Sequence, residues 1–79
     1  MIRLTNHVQR RIAERELDVA WIFATLAMPD WTVPDPDLAL TRSYRAIPEA
    51  GGRVLRVVHR QHGADSLVVT AFFDRDAKP

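Results

Sequence analysis

Two stretches near the C-terminus, Arg53–Arg60 and Ser66–Phe73, constrain the fold more than anything else in the chain. Both are of strand length and dense in valine and leucine or phenylalanine, with Gly51-Gly52 before the first and Gly63 between the two. Runs rich in β-branched and aromatic residues between glycine turns specify a β-hairpin. Strand side chains alternate between faces. Leu55, Val57 and His59 therefore separate from Val54, Arg56, Val58 and Arg60, and Leu67, Val69, Ala71 and Phe73 separate from Val68, Thr70 and Phe72. With the turn centred on Gly63, position 55 faces 71, 57 faces 69 and 59 faces 67. One face is then continuously apolar and suited to lie under helices. On the other, Arg56 sits opposite Thr70, between Val54/Phe72 and Val58/Val68. A slip of one residue would put Arg56 and Thr70 on opposite faces.

Upstream, the apolar period changes to that of helices. Thr5 or Asn6 can cap a helix over about 6–15 by accepting from an otherwise unpaired backbone N–H. Val8 and Ile12 mark its inner stripe, and His7, Arg11 and Arg15 form a polar stripe beside it. After Leu17, Asp18 caps a second helix over about 19–28. Val19, Ile22, Phe23 and Leu26 share one side of it, and Trp21 and Met28 lie nearly opposite. A helix apolar on two sides must be covered twice, by the first helix or by a partner chain. Pro29 ends it. Asp30–Asp37 reads as an irregular connection with a short extended piece at Trp31–Val33, followed by a strand over Thr41–Ile47 that stops at Pro48. The expected architecture is a single α+β domain over 1–79, with two N-terminal helices on one face of a three- to four-stranded antiparallel sheet.

At 79 residues without cysteine the chain has neither a disulfide nor a thiolate metal site. Domains this small bury only somewhat more than about 60% of their unfolded surface, so self-association or a bound partner is a natural supplement. A homodimer through Trp21 and Met28 is one form of it. No run approaches the roughly 20 apolar residues of a membrane span, and residues 1–5 lack a signal peptide's apolar core, so the expected location is the cytoplasm. Ten of the eleven basic residues are arginine. They cluster at Arg3, Arg10, Arg11 and Arg15, and again at Arg42, Arg45, Arg53, Arg56 and Arg60, whereas Glu16, Asp18, Asp30, Asp35 and Asp37 occupy the stretch between. Arginine's planar fork suits phosphate and carboxylate recognition; ordinary surface ion pairs are the other use.

Arg56 is the most unusual residue. A guanidinium midway along an apolar strand needs a carboxylate, backbone carbonyls or an anionic ligand to offset its desolvation. Either it clamps a phosphate with the Thr70 hydroxyl nearby, or it lies on the wetter face with its stem over Val54 and Val58. His7 is either an acid or base working near neutral pH or an exposed residue of a capped helix start. Arg11 and Arg15 can neutralise a phosphate beside it, or pair with neighbouring acids. Arg15, Arg45, Arg53 and Arg60 are further phosphate contacts, and Tyr44, between two arginines, is the best candidate for stacking on a base, although aromatics in strands are commonly core. His59 and His62 do not have a recognised metal spacing, so neither metal nor cofactor is expected. There is no glycine-rich phosphate loop and no GxSxG.

Asn6-His7-Val8-Gln9-Arg10-Arg11-Ile12-Ala13-Glu14-Arg15 and the following Glu16-Leu17, with Pro29-Asp30, Gly52-Arg53-Val54-Leu55-Arg56-Val57-Val58 and Val68-Val69-Thr70-Ala71-Phe72, resemble the domain of unknown function 4258 family over roughly 6–73. Glu16 stands where that family usually has glycine, and Phe72 where it has tyrosine, removing one proton donor. The resemblance implies a fold similar to RelE/ParE and BrnT-type toxins, with helices on one face of a sheet and RNA on the other. It also implies a metal-free ribonuclease chemistry at His7, Arg11, Arg56 and Thr70, with Arg15 assisting, or else a non-enzymatic module that binds RNA or an acidic, antitoxin-like protein. If the helices cover the face away from Arg56, His7 can reach that side only around the rim near the start of the first helix.

Overall fold

The computed structural model of the chain describes every residue except Glu16, the position where the family resemblance expects glycine, which therefore lies outside the described residues. In chain order the elements are β1 (Ile2–Leu4), α1 (Asn6–Arg15), α2 (Val19–Ala27), β2 (Trp31–Pro34), β3 (Thr41–Ile47), a single 3-10 turn (Pro48–Ala50), β4 (Arg53–His62) and β5 (Asp65–Phe73). The fold is α+β, as expected, but the sheet has five strands in the order β1-β5-β4-β3-β2. It is also mixed, because β1 runs parallel to β5 while every other pair is antiparallel. The strand missing from the sequence reading is the three-residue β1, too short for alternation to announce it.

Both helix caps form. Thr5 Oγ1 accepts from Val8 N at 3.2 Å and Asp18 Oδ1 from Ala20 N at 2.9 Å. Helix α2 packs over β4 and β3, whereas α1 packs along β5. Between helices and sheet lies a buried cluster of Val8, Leu17, Ile22, Leu55, Val57, Val68 and neighbouring residues. Trp21 joins its edge, with its ring 5.9 Å from that of Phe73. This corrects the assignment of α2's faces: Trp21 turns inward, and Val19 and Phe23 turn outward with Met28, which is 69% exposed. Trp21 and Met28 thus do not share a patch.

The hairpin forms, in a different register. The turn is tighter than expected: β4 continues to His62 and β5 begins at Asp65, with Gly63 at φ 63°, a conformation glycine adopts without steric cost. Near the turn His59 faces Val68 and Arg60 faces Leu67. The register then shifts, so that Val58 faces Thr70 and Val57 faces Ala71. Val69 is the additional residue of this β-bulge, which reverses the alternation on its two sides. Consequently Val68 is fully buried in the core, in place of Leu67 and Val69, while Ala71 and Phe73 keep the face expected of them beside Val57 and Leu55. Arg56 lies opposite Phe72, with Thr70 one pair along on the same side.

At the core's margin, His59 Nε2 lies 2.7 Å from Ser43 Oγ, and burial pushes the His59 imidazole below its ordinary pKa of about 6.5. The unfolded chain therefore binds a proton at a higher pH than the folded one. Stability from this group is complete above about pH 6.5 and declines as pH falls toward the lower folded value. The urea midpoint is expected to drop between pH 7.5 and 5.5, and His59→Gln to flatten that slope. A parent and variant with equal slopes would contradict this.

Candidate functional site: the seam between α1 and β5

The pairing of β1 with β5 covers only Ser66–Val68. Where β1 ends, Thr5 continues the attachment, its N–H donating to Val68 O at 3.1 Å and its hydroxyl to Val69 O at 3.2 Å. Helix α1 is thereby laid along the remaining half of β5, straddling the sheet's edge. Val8 enters the core from one side of the helix. The neighbouring stripe reaches the other face of the sheet, where His7 Nε2 lies 3.4 Å from Thr70 Oγ1. Arg11 and Arg15 line a cleft of about 240 Å³ with Thr70, Ala71 and Phe72. The structure thus brings His7, Arg11, Arg15 and Thr70 together, and the route is the rim beside the first helix.

Arg56 occupies the same face, but its guanidinium is committed. It donates through Nη2 to the Asp74 carboxylate. Its Cζ lies 4.8 Å from the centre of the Phe72 ring and 5.6 Å from that of Tyr44. The aromatic row continues one strand further, with Trp31 stacked on Tyr44 at 4.9 Å and 10°. Arg56 Nε is buried without a partner among the described residues. An ion pair and two ring faces replace the water this cation loses. Tyr44, at 5% exposure between Trp31 and Arg56, has no surface left for a base.

The second arginine of this face is neutralised as well. Arg42 Nε donates to Asp35 Oδ1 at 2.7 Å. The Asp37 backbone N–H and the Arg42 guanidinium hold the Asp35 carboxyl below its ordinary range, and Asp35 in turn raises Arg42. The other arginines singled out from the sequence lie elsewhere. Arg45 and Arg53 pair across from Leu55 and Ile47, on the helix side of the sheet. Arg45 Nη1 donates to Met28 O at the end of α2, 2.7 Å away. Arg60 is exposed toward the hairpin tip. Among the described residues, no salt bridge engages Arg11, Arg15, Arg53 or Arg60, and no three of His, Cys, Asp or Glu group so as to hold a metal ion.

Asp74 is the partner of Arg56 that strand alternation up to Phe73 does not reach. Its backbone N–H donates to Val54 O at 2.9 Å, so it continues β5 by one residue on the face of Phe72. Extending the strand alternation past Phe73 would have supplied the carboxylate that Arg56 requires.

Fold and seam together define a small α+β domain with an arginine-lined cleft at the edge of a mixed sheet and a histidine beside it. The chain belongs to the family described as domain of unknown function (DUF4258), whose model matches residues 4–73. No curated protein and no solved structure matches it. No helix among the described residues is long and apolar enough to cross a membrane.

The two halves of the partly buried Arg56–Asp74 ion pair should respond unequally to substitution. Asp74→Ala strands the Arg56 charge and is expected to cost about 1.5–3 kcal/mol, the range for losing a hydrogen bond to a charged group. Arg56→Met leaves a carboxylate that can turn to solvent and keeps the contacts with Phe72, so it should cost less. Urea denaturation of both variants checks this; a larger loss in Arg56→Met would contradict it.

Proposed function

We propose that the seam between α1 and β5 is an RNA-contacting site of the metal-independent ribonuclease type. The observation that carries this reading is His7 within hydrogen-bonding reach of Thr70, a residue that lines a cleft whose cations, Arg11 and Arg15, lack carboxylate partners among the described residues. A phosphate entering there meets two guanidinium groups one helical turn apart. An RNA 2′-hydroxyl beside it lies within reach of an imidazole. In the cleavage step the 2′-oxygen bonds to phosphorus as His7 takes its proton, and the bond from phosphorus to the 5′-oxygen breaks. The same imidazole returns the proton to the departing 5′-oxygen. The products are a 2′,3′-cyclic phosphate and a 5′-hydroxyl. Arg11 and Arg15 offset the charge that builds on the phosphate, and the Thr70 hydroxyl orients the ring. Arg56 supports the site by holding Phe72 in place; it does not itself clamp the phosphate. Toxin-like action against cellular RNA, with an acidic protein as its antagonist, is compatible with this chemistry.

A second reading, RNA binding without turnover, is favoured by one observation: among the described residues one imidazole stands beside the cleft and, with Phe72 in its wall, no phenolic proton donor lines it.

Incubation of the purified chain with total RNA separates the two. Cleavage leaving 2′,3′-cyclic ends is expected, reduced about 10²-fold or more in His7→Ala, the lower range for losing a general acid or base. Arg11→Ala should also be impaired, whereas Arg10→Ala, outside the cleft, should match the parent. Salt-sensitive binding without cleavage would select the second reading. Equal cleavage by parent and His7→Ala would remove the catalytic one.

A further inference from the structure

A second, larger cavity of about 580 Å³ lies between the end of α1, the start of β4 and the segment after β5. Its walls combine three arginines, Arg15, Arg53 and Arg75, with Leu17 and Phe73. Asp74 also reaches it, but that carboxylate is already paired with Arg56. The Arg53 guanidinium lies over Phe73, its Cζ 4.1 Å from the ring centre, and its Nε donates to Ala50 O at 3.2 Å. Arg15 lines this cavity and the seam cleft alike, so the two are neighbours along one helix.

We infer that this cavity binds a nucleotide unit flanking the phosphate held at the seam, and therefore that the ligand is a single-stranded nucleic acid, at least one nucleotide longer than the seam alone would take. The inference rests on the seam's reading as a phosphate site. A volume of this size suits a ligand as small as a nucleotide. A guanidinium and an aromatic ring side by side in its wall offer stacking surfaces that any base can use. Arg15 and Arg75 supply cations for the adjoining phosphate. Arg11 and Arg15 are separated by about 6 Å along the helix axis, close to the advance of an extended single strand per nucleotide. A duplex would present paired, stacked bases and could not place one in a pocket.

The test uses fluorescently labelled oligodeoxynucleotides, which lack the 2′-hydroxyl and so report binding apart from cleavage. The full chain is expected to bind a tetranucleotide at least tenfold more tightly than a dinucleotide. Arg53→Ala/Arg75→Ala should lose that gain and keep the dinucleotide affinity, with an unfolding midpoint confirming that the variant folds. Arg53→Lys, which keeps the charge without the plane, should bind intact and abasic tetranucleotides equally. No gain with length, an unchanged gain in the double variant, or equally tight binding of an oligoglutamate peptide would each overturn the inference. Cleavage of RNA by a chain showing no length effect would overturn it while sparing the seam. The length effect in a chain that cleaves nothing would support it and remove only the catalytic reading.

Discussion

The attachment of Thr5 to the outer edge of β5 decides where everything else on this molecule points. Three residues of parallel pairing and two hydrogen bonds from Thr5 set the start of α1 against the middle of β5. The same hydroxyl accepts from Val8 N and so caps the helix it positions. With α1 on the edge of the sheet, one side of a ten-residue helix serves the core and the adjacent side reaches the opposite face. A helix placed squarely over the sheet would bury Val8 equally well, but it would leave His7 and Arg11 with no route to Thr70.

The distribution of charge follows from that placement. On the exposed face of the sheet the two arginines nearest the centre, Arg42 and Arg56, each have a carboxylate, and Arg56 also lies against two rings. Their desolvation is offset within the chain, and a phosphate arriving there would have to displace Asp35 or Asp74. At the seam and in the cavity beyond it, Arg11, Arg15, Arg53 and Arg75 line cleft walls and make no salt bridge among the described residues. The centre of the sheet is thus neutralised within the chain, and the proposed binding site lies at its margin.

Much of this is legible in the residues themselves. Helix limits follow from Thr5, Asp18 and Pro29, and the strand at Thr41–Ile47 from its flanking turns. The hairpin is plain from its composition, yet its register is not, because a bulge at Val69 is a choice of backbone geometry that no side-chain pattern around it records. The bulge replaces Val69 by Val68 in the core, one valine for another, so hydrophobicity is satisfied either way. The polar stripe of His7, Arg11 and Arg15 is visible from helical spacing alone. Its destination depends on β1, three residues whose partner lies more than sixty positions away. Arg56 attracts notice as a charge in an apolar strand, and only its partner Asp74, just beyond the strand's end, shows that the charge is spoken for.

Nucleic acid is proposed to meet the α1–β5 seam and not the middle of the sheet. An amide chemical-shift titration with a 2′-O-methyl trinucleotide, which cannot be cleaved, addresses it directly. Shifts are expected at His7, Arg11, Arg15, Thr70 and Phe72, with Thr32, Val33 and Arg42 unmoved. Shifts centred on β2 and β3, with the seam silent, would contradict it.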